Sequence, residues 1–393
     1  MSPAESNPRL RQTRLALFRL AARLTPARPG PARVATPQSV LLIRPDHVGD
    51  VLFTAPAIRF LRVSWPKAKI TLLVGPWARP VAEGLPHVDE ILTAPFPWFS
   101  RQPRRWALEP YWQLLNEAQA LVPYRFDLAV ILRFDHWWGA WLVHQAGIPQ
   151  RIGYNLPEVA PFLSRAAPYV AGQHEVVQNL RLIEAVVGRT SPDAIPDLDF
   201  EPSDADEKAA ETLLAEAGVR PGEALACVHP GAGAPVKLWR NEGWAQVIES
   251  LVSEMGLRVL VTGGPGECIL ARDLIARSSV PAVDLSGRTS LGQLAAIMGR
   301  CRLVLGVDSG PLHLAVAMGA PTVHLFGPVD ARMFGPWGNP ARHAVVTSNR
   351  DCIPCNRLDL CPEVSPAGGA CLLDIRVSQV IEAARQVLAA TTR

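Results

Sequence analysis

The chain has 393 residues, of which 48% are hydrophobic and 19% charged, and its formal net charge is +3. That length exceeds one hydrophobic core and predicts two domains, while so small a charge argues against nucleic acid as a partner. No uncharged apolar run is long enough for a membrane-spanning helix, and Arg9, Arg11, Arg14, Arg19 and Arg23 break up any secretory signal, so a cytoplasmic protein is expected.

Residues 1–37 form a basic extension in which Leu10, Leu15, Leu17, Phe18, Leu20 and Leu24 lie among arginines. The pattern predicts a short amphipathic helix followed by a loose connector, TPARPGPARVATP. Such a segment suits an anionic membrane surface, and equally a disordered tail or a helix packed on the body of the protein.

Residues 38–190 read as a first α/β domain. Ser39–Arg44 is a buried strand, PDHVGD turns the chain into a helix bearing Val51, Leu52, Ala55, Ile58 and Leu61, and Lys69–Val74 and Phe126–Leu132 are further strands. Strands alternating with helices predict a parallel, doubly wound sheet. Between them FPWFSRQPRRWALEPYW (96–112) and DHWWGAW (135–141) mix aromatics with charge, suited to a sugar or lipid headgroup if exposed and to packing if buried. Asp50 stands at the start of the first helix, as a general base or as a helix cap. Arg44, at the preceding strand end, is an acceptor-side anion contact or the partner that keeps Asp50 ionised.

Ser191–Glu207 is acidic and proline-rich and opens a linker region spanning 191–222. Its two D-x-D triplets, Asp197/Asp199 and Asp204/Asp206, read as solvated charge. The alternation then restarts over 223–350: Leu225–His229, Arg258–Thr262 and Ala282–Ser286 are strands, and Asn241–Met255 is a helix with Trp244, Val247, Ile248 and Leu251 on one face. Strand Leu303–Val307 leads through Asp308, Ser309 and Gly310 into a helix with Pro311 at its start and Gly319 past its end. Asp308, Ser309 and His313 thus fall at a strand end and a helix start, where free N–H groups favour a phosphate; capping by Asp308 or Ser309 is the other reading. Gly231 and Gly233 allow close backbone approach, Lys237 and Arg240 bring positive charge, and Glu267 and Asp308 suit sugar hydroxyls. Together these strand ends suit a diphosphate. Neither G-x-G-x-x-G nor G-x-x-x-x-G-K-[ST] occurs, which argues against a dehydrogenase and an NTPase.

Residues 351–393 hold Cys352, Cys355, Cys361 and Cys371, spaced C-x2-C-x5-C-x9-C, and a final helix at Val377–Ala389. A structural zinc, free thiols or two disulfides all suit four such cysteines. Cys227, Cys268 and Cys301 read as buried thiols.

Taken together, RPDHVGDVLFTAPAIRFLR, HPGAGAPVKLWRNEGW and VDSGPLHLAVAMGAPTVHLFGPVD resemble the N-terminal motif, donor loop and C-terminal signature of glycosyltransferase family 9, the ADP-heptose:lipopolysaccharide heptosyltransferases. FDLAVILR, GIPQRIGY and HEVVQNLRLIEA resemble further family segments, so the likeness spans residues 38–390. It implies a GT-B architecture, two Rossmann-like parallel-sheet domains facing across a cleft, and inverting transfer without a catalytic metal or cofactor. By motif, Asp50 is the general base, Lys237 the diphosphate lysine, Glu267 a ribose contact and Thr289 a residue near the nucleobase. Asp308 contacts the donor sugar, and Gly310 and His313 complete the phosphate turn, beside Ser309. The implied partners are ADP-heptose and a lipopolysaccharide-core or similar glycolipid acceptor. Another nucleotide sugar, or a saccharide-binding assembly role without catalysis, are the alternatives. The loop at Ala232, Gly233 and Ala234, the basic extension and the aromatic stretch depart from the family pattern.

Overall fold

A computed structural model describes residues 8–24, 36–100, 103, 105–191, 197–359, 361–365 and 368–391. Most of the expected connector (25–35) and part of the expected linker (192–196) lie outside the described residues. The chain divides into two compact units, Met1–Glu83 with His87–Ile195, and Gly84–Pro86 with Pro196–Arg393.

In the first unit α1 (Pro8–Leu24) precedes β1 (Ser39–Arg44), α2 (Val48–Leu52), α3 (Ala55–Ser64), β2 (Lys69–Val74), α4 (Arg79–Glu83) and β3 (Glu90–Thr93). Then come α5 (Glu109–Leu121), β4 (Leu128–Ile131), α6 (Trp137–Gln145), β5 (Gln150–Tyr154), β6 (Arg165–Ala167) and α7 (Glu175–Val187). The strands are parallel, in the order β3-β2-β1-β4-β5-β6. The central strand β1, SVLLIR, is buried from Val40 to Arg44, and for that reason reads as an unbroken apolar run rather than an alternating one.

The second unit carries α8 (Asp204–Glu216), β7 (Leu225–His229), α9 (Asn241–Ser253), β8 (Arg258–Val261), α10 (Cys268–Arg277), β9 (Val283–Asp284), α11 (Leu291–Gly299) and β10 (Cys301–Val307). It continues with α12 (Gly310–Ala317), β11 (Thr322–Phe326), α13 (Ala331–Phe334), β12 (His343–Thr347), α14 (Ala370–Leu373) and α15 (Val377–Thr391). Its parallel sheet has the order β12-β11-β10-β7-β8-β9. Counted from the first strand of its own unit, each sheet therefore runs 3-2-1-4-5-6. In that order the connections leave strands 1 and 4 toward opposite faces and leave a crevice at their carboxyl ends. The crevice lies between β1 and β4 in one unit and between β7 and β10 in the other.

Part of the stretch expected to be linker is a helix. Ser203 caps α8 by accepting from the Asp206 N–H, and Asp204, Asp206 and Glu207 occupy its first turn, where the helix dipole favours acids. The helix packs on α11: Asp206 accepts from Ser290 Oγ at 3.0 Å, and Arg300 pairs with Glu207 at 3.0 Å and Glu211 at 2.8 Å. The Asp204/Asp206 triplet is thus fixed at a helix start, not loose.

The close approach of β7 and β10 depends on Gly306. A Cβ there would collide with the His229 carbonyl oxygen and with Leu312 of α12. Gly306→Ala should cost about 1–3 kcal/mol, read as a lower urea midpoint at unchanged slope; an unchanged midpoint would contradict this packing.

Candidate active site

In the second unit, four loops converge at the carboxyl ends of β7, β8, β9 and β10. Lys237, ending a short 3-10 turn after β7, reaches Asp308 beyond β10, with Nζ 2.6 Å from Oδ2. Asp308 is 6% exposed, and its N–H donates to the Leu325 carbonyl at 3.0 Å. Burial works against its charge, but a hydrogen bond from His313 and the Lys237 cation outweigh it and hold the carboxyl below the usual range. Ser309 is the extended residue before α12 and its side chain does not cap the helix. Its Oγ is buried without a hydrogen-bond partner among the described residues. An orphaned hydroxyl beside the N–H of Gly310, which has no acceptor inside the helix, is what an anion site requires.

The other loops close the same crevice. His229, ending β7, meets Thr262 Oγ1 at 3.1 Å, and burial pushes its imidazole pKa down. Glu267 accepts the Gly264 N–H at 2.7 Å. Gly231 lies so close that a Cβ there would overlap the Glu267 carboxylate, so this glycine serves contact between two loops. The β9 loop joins through the Gly287 N–H, which donates to Gly263 at 2.8 Å. Thr289, half-buried in that loop, makes no hydrogen bond among the described residues, which leaves its hydroxyl available. Lys237, Glu267, Thr289, Asp308 and Ser309 thus come from this one set of loops, and Gly310 and His313 from the first turn of α12 that follows.

In the first unit the crevice between β1 and β4 holds a buried ionic cluster. Arg44, 1% exposed, lies 2.8 Å from Asp46, 2.9 Å from Glu175 and 3.3 Å from Asp50, and donates to Asn179 and to the Leu132 carbonyl at 3.3 Å. Arg133 pairs with Asp46 and, at 2.6 Å, with Asp135. The two cations act unequally. Burial opposes the charge of Asp46, but Arg133 and Arg44 hold its carboxyl below the usual range. Burial and then the neighbouring Asp46 push Asp50 upward, against the pull of Arg44. Carboxylates driven apart in this way divide into a fixed charge and a proton acceptor. The Asp46 side chain is 4% exposed and that of Asp50 27%, so Asp50 is the one an incoming hydroxyl can reach. It sits in the first turn of α2, whose N-cap is His47, and so is not the cap itself.

The family model described as Glycosyltransferase family 9 (heptosyltransferase) matches residues 115–362, more than half of the chain. The chain belongs to glycosyltransferase family 9. It is 28% identical over 297 residues to lipopolysaccharide heptosyltransferase 3 of Escherichia coli K12, covering 74% of this chain and 82% of that protein. The solved structure of E. coli ADP-heptose lps heptosyltransferase II superposes with a TM-score of 0.71 at 20% identity, covering 90% of this chain and all of that one. That of E. coli heptosyltransferase WaaC with ADP-2-deoxy-2-fluoro heptose gives 0.61 at 21% identity, covering 88% and 99%. The two parallel-sheet units are those of a GT-B glycosyltransferase.

Three expectations for this family-9 chain change. Arg44 is enclosed by its partners and has no face for an acceptor, so its second reading, the partner of Asp50, is the one the geometry keeps. Arg240 does not join Lys237; it donates to the Leu373 carbonyl at 2.5 Å and lies over Trp239. A structural zinc at the cysteine cluster finds no support. Among the described residues no group of three or more His, Cys, Asp or Glu is arranged to hold a metal, and all seven cysteines are free thiols. Cys371 is buried under Gly327 and Cys352 is exposed; burial, with the neighbouring Cys352, Cys355 and Cys361, raises the pKa of the Cys371 thiol, so the four lie near one another without being arranged as a tetrahedral site. Of the lone cysteines, Cys227 and Cys301 are buried but Cys268 only partly.

Sequence reading missed Glu175, Asp46, Arg133 and His229. Glu175 lies 131 positions from Arg44, and nothing local marks it. Asp46 was visible inside RPDHVGD but indistinguishable from a turn residue. Arg44→Met, which strips the shared cation from Asp46, Asp50 and Glu175, should cost about 3–5 kcal/mol, measured by chemical unfolding; a loss below about 1 kcal/mol would mean the cluster is not held by this cation.

Proposed function

We propose that the chain transfers a heptose, with inversion, from ADP-heptose to a saccharide hydroxyl of a lipopolysaccharide-core or similar glycolipid. The observation that carries this reading is the anion turn, Lys237 paired to Asp308 beside the orphaned Ser309 hydroxyl, in a chain of the heptosyltransferase family. The names of its relatives support the donor and acceptor classes. The second unit takes the nucleotide sugar and the first takes the acceptor, at the cytoplasmic face of the inner membrane where a lipid-linked acceptor is held.

In the proposed reaction the acceptor oxygen attacks the anomeric carbon as its proton passes to Asp50, and the bond from that carbon to the diphosphate breaks, ADP leaving with the electron pair. Lys237 and the α12 start take up the charge that develops on the diphosphate, a role worth on the order of 3 kcal/mol per well-placed donor. This is why the proposed transfer needs no metal. Asp308 holds Lys237 before the donor arrives and then shares it, contacting the sugar as well. Glu267 takes the ribose and Thr289 the edge of the base.

Asp50→Asn should lower kcat by about a hundredfold or more with the Kd for ADP unchanged in calorimetry; near-normal turnover would remove Asp50 from the role. Because the Asp50 pKa is raised, the base is lost at a higher pH than for a free aspartate. The acid limb of kcat/KM should therefore lie at higher pH than a free aspartate would place it, and vanish in the asparagine variant. Lys237→Ala should weaken ADP binding by about ten- to a hundredfold; unchanged affinity would place the diphosphate elsewhere. Assay with a panel of ADP-, GDP- and UDP-sugars, reading the transferred mass, identifies the donor.

A further inference from the structure

The N-terminal helix α1 is fixed to the first unit on one side only. Phe18, 3% exposed, inserts among Trp137, Trp141 and Phe162, with ring centroids at 4.8, 5.9 and 5.7 Å. Glu158 holds Arg11 at 2.9 Å and Arg14 at 3.6 Å on the same side. The opposite side carries Leu17, Leu20 and Leu24, one above the other at helical spacing, and 58%, 51% and 71% exposed.

A second bare stripe adjoins it. On α5 Pro110, Leu114, Ala118 and Leu121 face the core, whereas Tyr111, Trp112 and Leu115, with Leu108 just before the helix, are exposed. Tyr111 lines the same open groove, about 490 Å3, as Leu17, Leu20, Leu24 and Trp141. Single exposed leucines are ordinary, but two adjoining stripes of leucine, tyrosine and tryptophan are the mark of a surface that meets another phase or partner.

Charge selects the occupant. The helix has no acidic residue, and Arg19 and Arg23, exposed and one turn apart beside the leucine stripe, have no ion pair among the described residues. Leucines facing outward, aromatic rings with polar edges and flanking arginines match the boundary between acyl chains and anionic headgroups. A second copy of the chain would instead bring unpaired arginines toward one another. We infer that α1 and the exposed side of α5 form one docking surface for a bilayer of anionic phospholipid. The inference rests on the proposed glycolipid acceptor for its purpose, but not for its geometry.

The full-length chain, sedimented with vesicles of equal parts phosphatidylethanolamine and phosphatidylglycerol, should bind, and should not bind phosphatidylcholine vesicles. Arg19→Gln with Arg23→Gln should lower partitioning about thirtyfold, and Leu17→Ser with Leu20→Ser and Leu24→Ser at least about tenfold. Trp112→Ser with Leu115→Ser should weaken it too, since α5 shares the surface. All three variants should keep the wild-type melting temperature and wild-type transfer to a soluble, deacylated acceptor. Wild type that stays in the supernatant, or variants that partition as wild type does, would overturn the surface. So would a wild-type dimer that the leucine variant dissolves while vesicle binding is unchanged. Vesicle binding through these residues with no transfer to any acceptor would leave the surface standing and sink the proposed activity; transfer without vesicle binding would do the reverse.

Discussion

Everything chemical in this protein depends on a constraint of sheet topology: in the order 3-2-1-4-5-6, two adjacent strands send their connections to opposite faces, so no helix covers their carboxyl ends. β7 and β10 are such a pair, and the ion pair of Lys237 with Asp308 spans them. β1 and β4 are the equivalent pair, and Arg44, Asp46 and Arg133 gather at their ends. The same topological gap thus holds the proposed anion turn in one unit and a carboxylate cluster in the other. Both pair cations with carboxylates; what differs is that in the first unit one buried guanidinium is shared among three of them.

The carboxylate cluster is not explained by stability. Burying Arg44 with three carboxylates within 3.3 Å removes charges from water at a cost that mutual attraction rarely recovers in full, and apolar replacement of a buried ion network is often neutral or stabilising. What the arrangement provides is an unequal division of one guanidinium. Asp46 has two cations and stays ionised; Asp50 has the longest contact to Arg44, feels the charge of Asp46, and is left more basic than a free aspartate. Glu175 occupies Arg44 from α7 at 2.9 Å, so the cation cannot swing wholly toward Asp50 and quench that basicity.

How much was legible follows the range of the interactions involved. The bounds of β1, β2 and β7 coincide with apolar runs because burial on both faces leaves no room for polar residues until the strand emerges. The strand, turn and helix start of the proposed anion turn were legible because they are contiguous from Leu303 to Ala317. The start of α8 was hidden because a Ser cap followed by Asp204, Asp206 and Glu207 has the same composition as a solvated linker. Arg240 was misplaced because what draws it away is a carbonyl 133 residues distant. Cysteine spacing gives proximity, which Cys371 keeps with Cys352, Cys355 and Cys361, but not the ligand geometry that a metal needs. Tertiary partners, not local pattern, set each of these.

One helix connects the proposed membrane surface with the proposed base. The chain leaving β4 passes through Arg133, which grips Asp46, and Asp135, which Arg133 also holds, before α6 begins at Trp137. His136, whose imidazole burial pushes down to about 3, is a neutral ring wedged against Phe96 and Phe99, so the start of α6 is fixed by packing rather than by charge. Two turns of the same helix then present Trp137 and Trp141 to Phe18 of α1. A bilayer on that proposed surface would therefore meet a rigid element, rooted in the residues that hold the carboxylates, instead of a hinged tail. For an acceptor whose lipid stays in the membrane, such a connection fixes the height and tilt at which its sugar meets Asp50, an orientation that a flexible basic tail with the same arginines would not supply.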